Sequence, residues 1–328
     1  MNIRWLFMAT AFIVAVTMIL LLLESPTYKC SMQTPPRRSE TVIVDLNHSS
    51  GNQTLVLGAL PLLEPHRHRI LTVTEGCRTI KEHDTLSKMN ETALIQHLST
   101  MNFLLNRKHK IMFCLSAKTG SSNWRRAFLI LAGTWKENVG IHTQPVPMFR
   151  YSPPKFQKMA LTYTKIMFVR HPFERLLSAY LNKIIEKPDV SFLERYGEGI
   201  RNSPDRNRSV GGNDLSFDKF VNYFLTARPE NIHWNSYYKS CDPCLLKYDF
   251  IGKLDTIYAD IDYLSNALNV TFDYANTAQH ATQSSSRIRD YYSLLTKQQI
   301  LGLYSMYYND FKLFGFPYPD LYLSMALD

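Results

Sequence analysis

The sequence predicts an α/β fold: a parallel sheet of P-loop-like build, flanked by helices, in a single domain behind an N-terminal membrane-spanning helix. Three observations carry this. Two short apolar stretches, residues 110–115 and 164–169, each run into a helical pattern, and apolar strands that feed helices form parallel sheets covered on both faces. An uncharged apolar run fills residues 5–23. Behind it, about 250 residues remain once both ends are set aside, enough for one large domain with a full core.

The run at 5–23 (WLFMATAFIVAVTMILLLL) is long enough to span a bilayer at about 1.5 Å rise per residue. Arg4 precedes it and Glu24 follows it, so the positive-inside rule leaves residues 1–4 as a cytosolic tail and sends the remainder to the lumen. The rival is a cleaved signal peptide, whose apolar core is about 7–15 residues and is followed by a small-x-small site. Here only Glu24-Ser25-Pro26 follows. Residues 24–69 carry Pro26, Pro35, Pro36, Pro61 and Pro65 without a helical period, the pattern of a stem that holds a domain at 70–328 off the membrane.

Five Asn-x-Ser/Thr sequons, at Asn47, Asn52, Asn90, Asn207 and Asn269, agree with luminal exposure. Of the five cysteines, Cys114 lies in an apolar run and reads as a buried free thiol, while Cys30, near the membrane, is placed to link two chains as a homodimer. Cys77, Cys241 and Cys244 can supply one disulfide, with its partners undecided by sequence. The net charge of +9 favours acidic ligands. Since a luminal protein meets no nucleic acid, an acidic glycan is the expected partner.

In order along the domain, residues 86–105 have helical period, with Leu86, Met89, Ala93, Leu94, Leu98, Met101 and Leu105 on one face. A strand at 110–115 precedes a helix at 124–132. A strand at 164–169 (TKIMFV) precedes a helix at 172–185, which Pro172 opens at no cost in hydrogen bonds. Later helices are expected at 216–225, 260–268 and 297–308.

Two loops between strand and helix hold the chemistry. The first is Ser116-Ala-Lys-Thr-Gly-Ser-Ser-Asn123. Its small residues and Gly120 let backbone N–H groups fold around a phosphate, the next helix adds its positive end, and Lys118 adds a point charge. It is not a Walker A loop, because Lys118 precedes Gly120; the bland alternative is a plain turn with a solvated lysine. The second is Arg170-His-Pro-Phe-Glu-Arg-Leu-Leu-Ser-Ala-Tyr180, where an arginine fork and a hydroxyl two helical turns on suit a second phosphate. Its bland alternative is a surface network of Glu174 and Arg175.

Together these stretches resemble the 5′-phosphosulfate loop and 3′-phosphate motif of sulfotransferases that use 3′-phosphoadenylyl sulfate (PAPS). They look most like the Golgi carbohydrate sulfotransferase group that contains the HNK-1, chondroitin 4-O and dermatan 4-O enzymes. AKTGSSNWRR is similar to that group's first motif, with Ala117 for the usual proline and Ser122 for threonine, and RHPFERLLSAY fits its second motif throughout. His233-Trp234, Cys241-Asp-Pro-Cys244, YDFIGKLD at 248–255 and YSMYYNDFKLFG at 304–315 extend the likeness over residues 75–318.

The resemblance implies a Golgi, single-pass type II membrane enzyme with PAPS as co-substrate and no metal. It implies that Ala117, Lys118, Thr119, Gly120, Ser121, Ser122 and Asn123 hold the 5′-phosphosulfate, and that Arg170 and Ser178, with Arg175 in the same motif, bind the 3′-phosphate. Lys118 would stabilise charge on the bridging oxygen. Related sulfotransferases carry a catalytic base between the two motifs, which points to His142, with His233 behind it.

The acceptor expected from this branch is the 4-hydroxyl of N-acetylgalactosamine in chondroitin or dermatan, with the 3-hydroxyl of a terminal glucuronate as runner-up. Arg201, Arg206 and Arg208 lie outside both nucleotide motifs and can grip an acidic chain, while Arg287 can close over the nucleotide. A metal-dependent Golgi glycosyltransferase is the alternative enzyme class, but its candidate metal pair, Asp260-Ile-Asp262, falls inside a helical run. A third class, a catalytically dead glycan-binding relative, conflicts with intact Lys118, Arg170 and Ser178. A single Cys-x-x-Cys is weak for zinc, so Cys241 and Cys244 are read as structural.

Overall fold

The computed structural model describes residues 63–80, 90–99, 101–146, 153–204, 214–274 and 286–328. The expected membrane span, Cys30, the sequons Asn47, Asn52 and Asn207, and Arg206 and Arg208 lie outside the described residues. Among the described residues no helix is long and apolar enough to cross a membrane.

Among the described residues, four strands form one sheet in the order β1-β2-β3-β4: β1 (Phe103–Asn106), β2 (Ile111–Cys114), β3 (Thr164–Val169) and β4 (Phe250–Lys253). The β2, β3 and β4 strands are parallel, with Cys114 opposite Met167 and Val169 opposite Lys253. The edge strand β1 runs antiparallel to β2, so the expectation of a purely parallel sheet is corrected to a mixed one. The same strand corrects the helix expected over 86–105. A helix, α2 (Glu91–Ser99), occupies only its middle, after α1 (Glu64–Arg78). Asn106 Oδ1 accepts from the His109 amide at 2.9 Å and Lys110 takes a φ of 51°, which closes a hairpin between β1 and β2. Ladder pairing in that hairpin, Leu105 opposite Met112, overrides the helical spacing of Leu105.

The period-two alternation of β3 fills both faces. Ile166 and Phe168 pack with Phe113, Phe250, the helix α3 (Ser121–Leu131) through Trp124 and Phe128, and later residues Ile257, Ile261 and Leu264. Met167 and Val169 face the other way, with Met112, Ile251, Val73 of α1, and Phe156 of α4 (Pro153–Thr162). Strands and helices are packed so closely here that a Cβ on Gly252 would sit 2.1 Å from the Phe168 ring.

Pro172 opens α5 (Pro172–Tyr180), with the His171 ring accepting from the Phe173 amide as its cap. The expected helix to residue 185 instead widens into a π-helical turn, Leu181–Glu186. Then follow α6 (Val190–Arg201), α7 (Phe217–Ala227), α8 (Tyr237–Cys241), α9 (Pro243–Leu246) and α10 (Ile257–Leu268). The chain ends in α11 (Ile288–Tyr292), α12 (Lys297–Met306), α13 (Tyr308–Phe314) and α14 (Asp320–Met325). The helix expected at 297–308 is therefore two, broken at Tyr307. A second core of Phe173, Phe217, Phe220, Trp234, Tyr292 and Phe311 binds α5 to these later helices.

Two further expectations change. The stem expected over 24–69 overlaps a helix, since α1 begins at Glu64, with Pro65 in its first turn where a missing N–H is harmless. Arg69 reaches Asp260 Oδ2 at 2.7 Å, so this helix belongs to the folded domain. Cys114 is not a free thiol. It bonds Cys241, while Cys77 of α1 bonds Cys244, so the Cys-x-x-Cys motif sends its two sulfurs to different partners. The apolar surroundings of Cys114 reflect its place at the end of a buried strand, against which α8 packs its own cysteine.

Candidate active site

The first loop leaves β2 at Cys114 and enters α3 at Ser121. Thr119 Oγ1 donates to the Ser116 carbonyl at 2.7 Å, and the Ser116 hydroxyl lies 3.2 Å from Sγ of Cys241, which ties the loop down to the disulfide. Lys118 and Gly120 both take left-handed backbone, φ 69° and 75°. Left-handed residues at such positions turn successive amides toward one concavity, a nest for anions. Gly120 precedes α3 without any side-chain cap, which leaves first-turn amides for an incoming anion. Only glycine fits there: a Cβ would lie 1.9 Å from Tyr274 Oη, whose ring packs on Trp124 at 5.1 Å and whose hydroxyl is hydrogen-bonded by Asn123. Tyr274 was invisible to sequence reasoning, since nothing in its neighbourhood marks it.

Lys118 is half-buried, and its ammonium is pushed down to about 7, first by burial, then by Arg170 and Lys183, against an opposing pull from Glu186. Three cations thus converge. Arg170 follows the last residue of β3, its amide donating to Tyr237 Oη at 2.9 Å and its guanidinium reaching Glu174 at 3.3 Å. Ser178 is buried on α5, two turns further on.

Arg175 is corrected as a donor-binding residue. It is 1% exposed, and its donors go to the carbonyls of Ala117 (3.0 Å), Asn235 (2.6 Å) and Ile232 (3.2 Å), with its plane 4.4 Å from the Tyr237 ring centroid. It holds the loop rather than the ligand. The π turn after α5 adds Lys183 and Glu186, which sequence reasoning missed because nothing in the sequence signals the wider turn. Arg287 is paired with Glu186 at 2.8 Å and with Tyr291 Oη at 2.6 Å.

Two imidazoles border the loop. His142 is exposed, with Nε2 3.4 Å from the Ser122 hydroxyl. His233 is half-buried, with Nδ1 2.7 Å from Asn231 Oδ1. Burial, then Lys183, Lys118 and Arg175, hold its ring down at about 3, so it is neutral in the ligand-free protein. Asp260 lies in α10 with Oδ2 taken by Arg69, Thr256 and the Lys253 amide.

A loop with left-handed backbone at Lys118 and Gly120, an uncapped helix start and an arginine at the next strand end make a concavity suited to anions. The sequence model described as the sulfotransferase family matches residues 101–317, which contain all of these groups. Carbohydrate sulfotransferase 14 of Danio rerio is 30% identical over 94% of this chain and 86% of its own length. Carbohydrate sulfotransferase 11 of Rattus norvegicus is 28% identical over 78% and 77%, and carbohydrate sulfotransferase 8 of Mus musculus 31% over 66% and 57%. No solved structure matches. The chain belongs to the sulfotransferase family and is a sulfotransferase; the family implies PAPS as the sulfate donor.

Proposed function

We propose that the protein transfers the sulfuryl group of PAPS to the 4-hydroxyl of N-acetylgalactosamine in chondroitin or dermatan. The observation that carries the reaction is the convergence of Lys118, Arg170 and the left-handed loop at the ends of adjacent strands β2 and β3. The residues fit the donor: amides of residues 117–123 suit its phosphosulfate, while Arg170 and Ser178 suit its 3′-phosphate. In transfer, the acceptor oxygen forms its bond to sulfur as the bond from sulfur to the bridging oxygen breaks and 3′,5′-ADP leaves. Lys118 stabilises the charge that builds on that oxygen. His142, at the loop's Ser122, takes the acceptor proton.

The acceptor reading rests on the motif likeness to the 4-O branch, on the net charge of +9, and on relatives named for carbohydrates. Arg201, exposed at the end of α6, is the described member of the basic cluster. The runner-up, 3-sulfation of a terminal glucuronate, shares the same motifs. We place the protein in the Golgi membrane as a single-pass type II enzyme. Supporting this are the apolar run at 5–23, two disulfides, and sequon asparagines Asn90 and Asn269, both exposed. Incubation with labelled PAPS and desulfated glycans, followed by disaccharide analysis, tests the assignment. Label in 4-sulfated galactosamine supports it; label on glucuronate or on neutral glycans alone overturns it. Activity that EDTA abolishes would instead favour a metal-dependent transferase.

A further inference from the structure

The loop and the two side chains assigned to the 3′-phosphate leave the ammonium of Lys183 beside them unused. Lys183 sits in the π turn after α5, where its carbonyl accepts from the Asp189 amide at 3.2 Å and its ammonium donates to Asp189 Oδ2 at 2.8 Å. Asp189 is itself fixed as the cap of α6 by Ser191 and the Phe192 amide, and these bonds, Lys183 foremost, hold its carboxyl well below the usual range. The lysine is therefore pre-aimed. One turn into α6, Phe192 packs on Trp234 with ring centroids 5.5 Å apart, which brings this element against the neighbour of His233. Among charges, Lys183 acts most strongly on the His233 ring, followed by Lys118.

His233 has a fixed tautomer. Asn231 Oδ1 accepts both from the His233 amide at 2.9 Å and from Nδ1 at 2.7 Å, while Asn231 Nδ2 donates to Tyr196 Oη, which donates onward to the Glu230 carbonyl. With the proton on Nδ1, Nε2 keeps its lone pair as an acceptor. The same turn is bolted to the donor loop, because Arg175 binds the carbonyls of Ile232 and Asn235 as well as that of Ala117.

We propose that Lys183 and His233 form the uronate subsite of the acceptor, Lys183 pairing with the sugar carboxylate and His233 Nε2 accepting from one of its hydroxyls. This rests on the reading of the acceptor as a uronate-bearing glycan. A lysine half-compensated by Asp189 suits a singly charged carboxylate better than a phosphate, which the loop already serves. Neutral imidazole and carboxylate acceptors suit sugar hydroxyls.

The test measures kcat/KM of the full-length, detergent-solubilised enzyme on chondroitin and on chondroitin whose uronate carboxyls have been reduced to hydroxymethyl groups. Wild type should prefer the native polymer by about tenfold, the scale of one partly exposed charged hydrogen bond. Lys183→Met should erase that preference and Lys183→Arg should restore it, while 3′,5′-ADP binding, which senses Lys183 only through its effect on Lys118, changes by less than the preference does. His233→Ala should raise KM for both polymers while lowering kcat less. A Lys183→Met enzyme that keeps the preference, or that loses 3′,5′-ADP affinity by as much as it loses preference, overturns the subsite while leaving chondroitin as acceptor. A wild type that sulfates only neutral glycans overturns the acceptor reading and the subsite with it.

Discussion

Arg175 Nε donates to the carbonyl of Ala117 at 3.0 Å, so the residue that precedes Lys118 is fixed by a guanidinium from the second motif. The two motifs are therefore one mechanical unit. Arg175 also spans to Ile232 and Asn235, which brackets His233. Three separated segments share one buried cation.

Arg175→Lys should accordingly behave as a disruptive change. A lysine cannot span three carbonyls in the plane of a fork, and each buried charged hydrogen bond is worth about 1.5–3 kcal/mol. Urea unfolding should show a loss of about 3 kcal/mol or more, with weaker 3′,5′-ADP binding in the molecules that remain folded. Full stability together with normal binding would remove Arg175 from this role.

Lys118→Ala should reduce turnover about 10²-fold or more, since it removes a contact to charge that develops in the transition state. Donor affinity should change less. Turnover that survives in a folded variant argues against the assignment.

The depressed ammonium of Lys118 also gives donor binding a pH signature. In the empty site it titrates near 7, because burial and then Arg170 and Lys183 disfavour its proton. An anionic donor favours that proton and raises the value, so binding takes up protons at and above neutral pH. Affinity for 3′,5′-ADP should be flat below 7 and fall as pH rises above it, by up to about tenfold per unit. Calorimetry in buffers of different ionisation enthalpy measures the uptake, and Lys118→Met should abolish it. Equal proton release in both proteins would contradict the scheme.

Gly120→Ala should fail for two separate reasons: a φ of 75°, which alanine adopts at a cost of about 1 kcal/mol or more, and the Tyr274 hydroxyl 1.9 Å from the new methyl. Donor binding should drop at least tenfold by titration. Tyr274→Ala in the same chain should recover part of it by removing the clash alone. No recovery would mean that backbone strain dominates.

How far the sequence could be read follows from how local each signal is. Strand β3 lies where its apolar run predicts, residue for residue, and the stretch from Ser116 to Asn123 joins β2 to α3, its last three residues forming the first turn of the helix. Signals that depend on distant partners were not legible. Leu105 fits a helical face equally well until the Asn106 turn pairs it with Met112 in a hairpin. Arg175 reads as a phosphate ligand because its carbonyl partners lie about sixty residues away in sequence, at Ala117, Ile232 and Asn235. The apolar context of Cys114 said nothing of Cys241, 127 residues on.

The two disulfides should separate stability from function. In the chain-entropy description, closing loops of 127 and 167 residues stabilises by about 5 kcal/mol each, nearly independently of which is removed. Their surroundings differ. Cys77–Cys244 clamps α1 to α9 and makes no hydrogen bond to the donor loop among those described. Cys114–Cys241 lies under the loop, two residues before Ser116, whose hydroxyl rests on Cys241 Sγ. The double variants Cys77→Ala/Cys244→Ala and Cys114→Ala/Cys241→Ala should therefore lose similar amounts in urea unfolding. Only the second should also weaken 3′,5′-ADP binding per folded molecule, because the carbonyl of Ser116 that orients Thr119 loses its anchor. Measured at a temperature where both variants are folded, equal affinities would show that the disulfide under the loop serves stability alone. A loss confined to the first variant would mean that α1, through Arg69 and Asp260, governs the donor site instead.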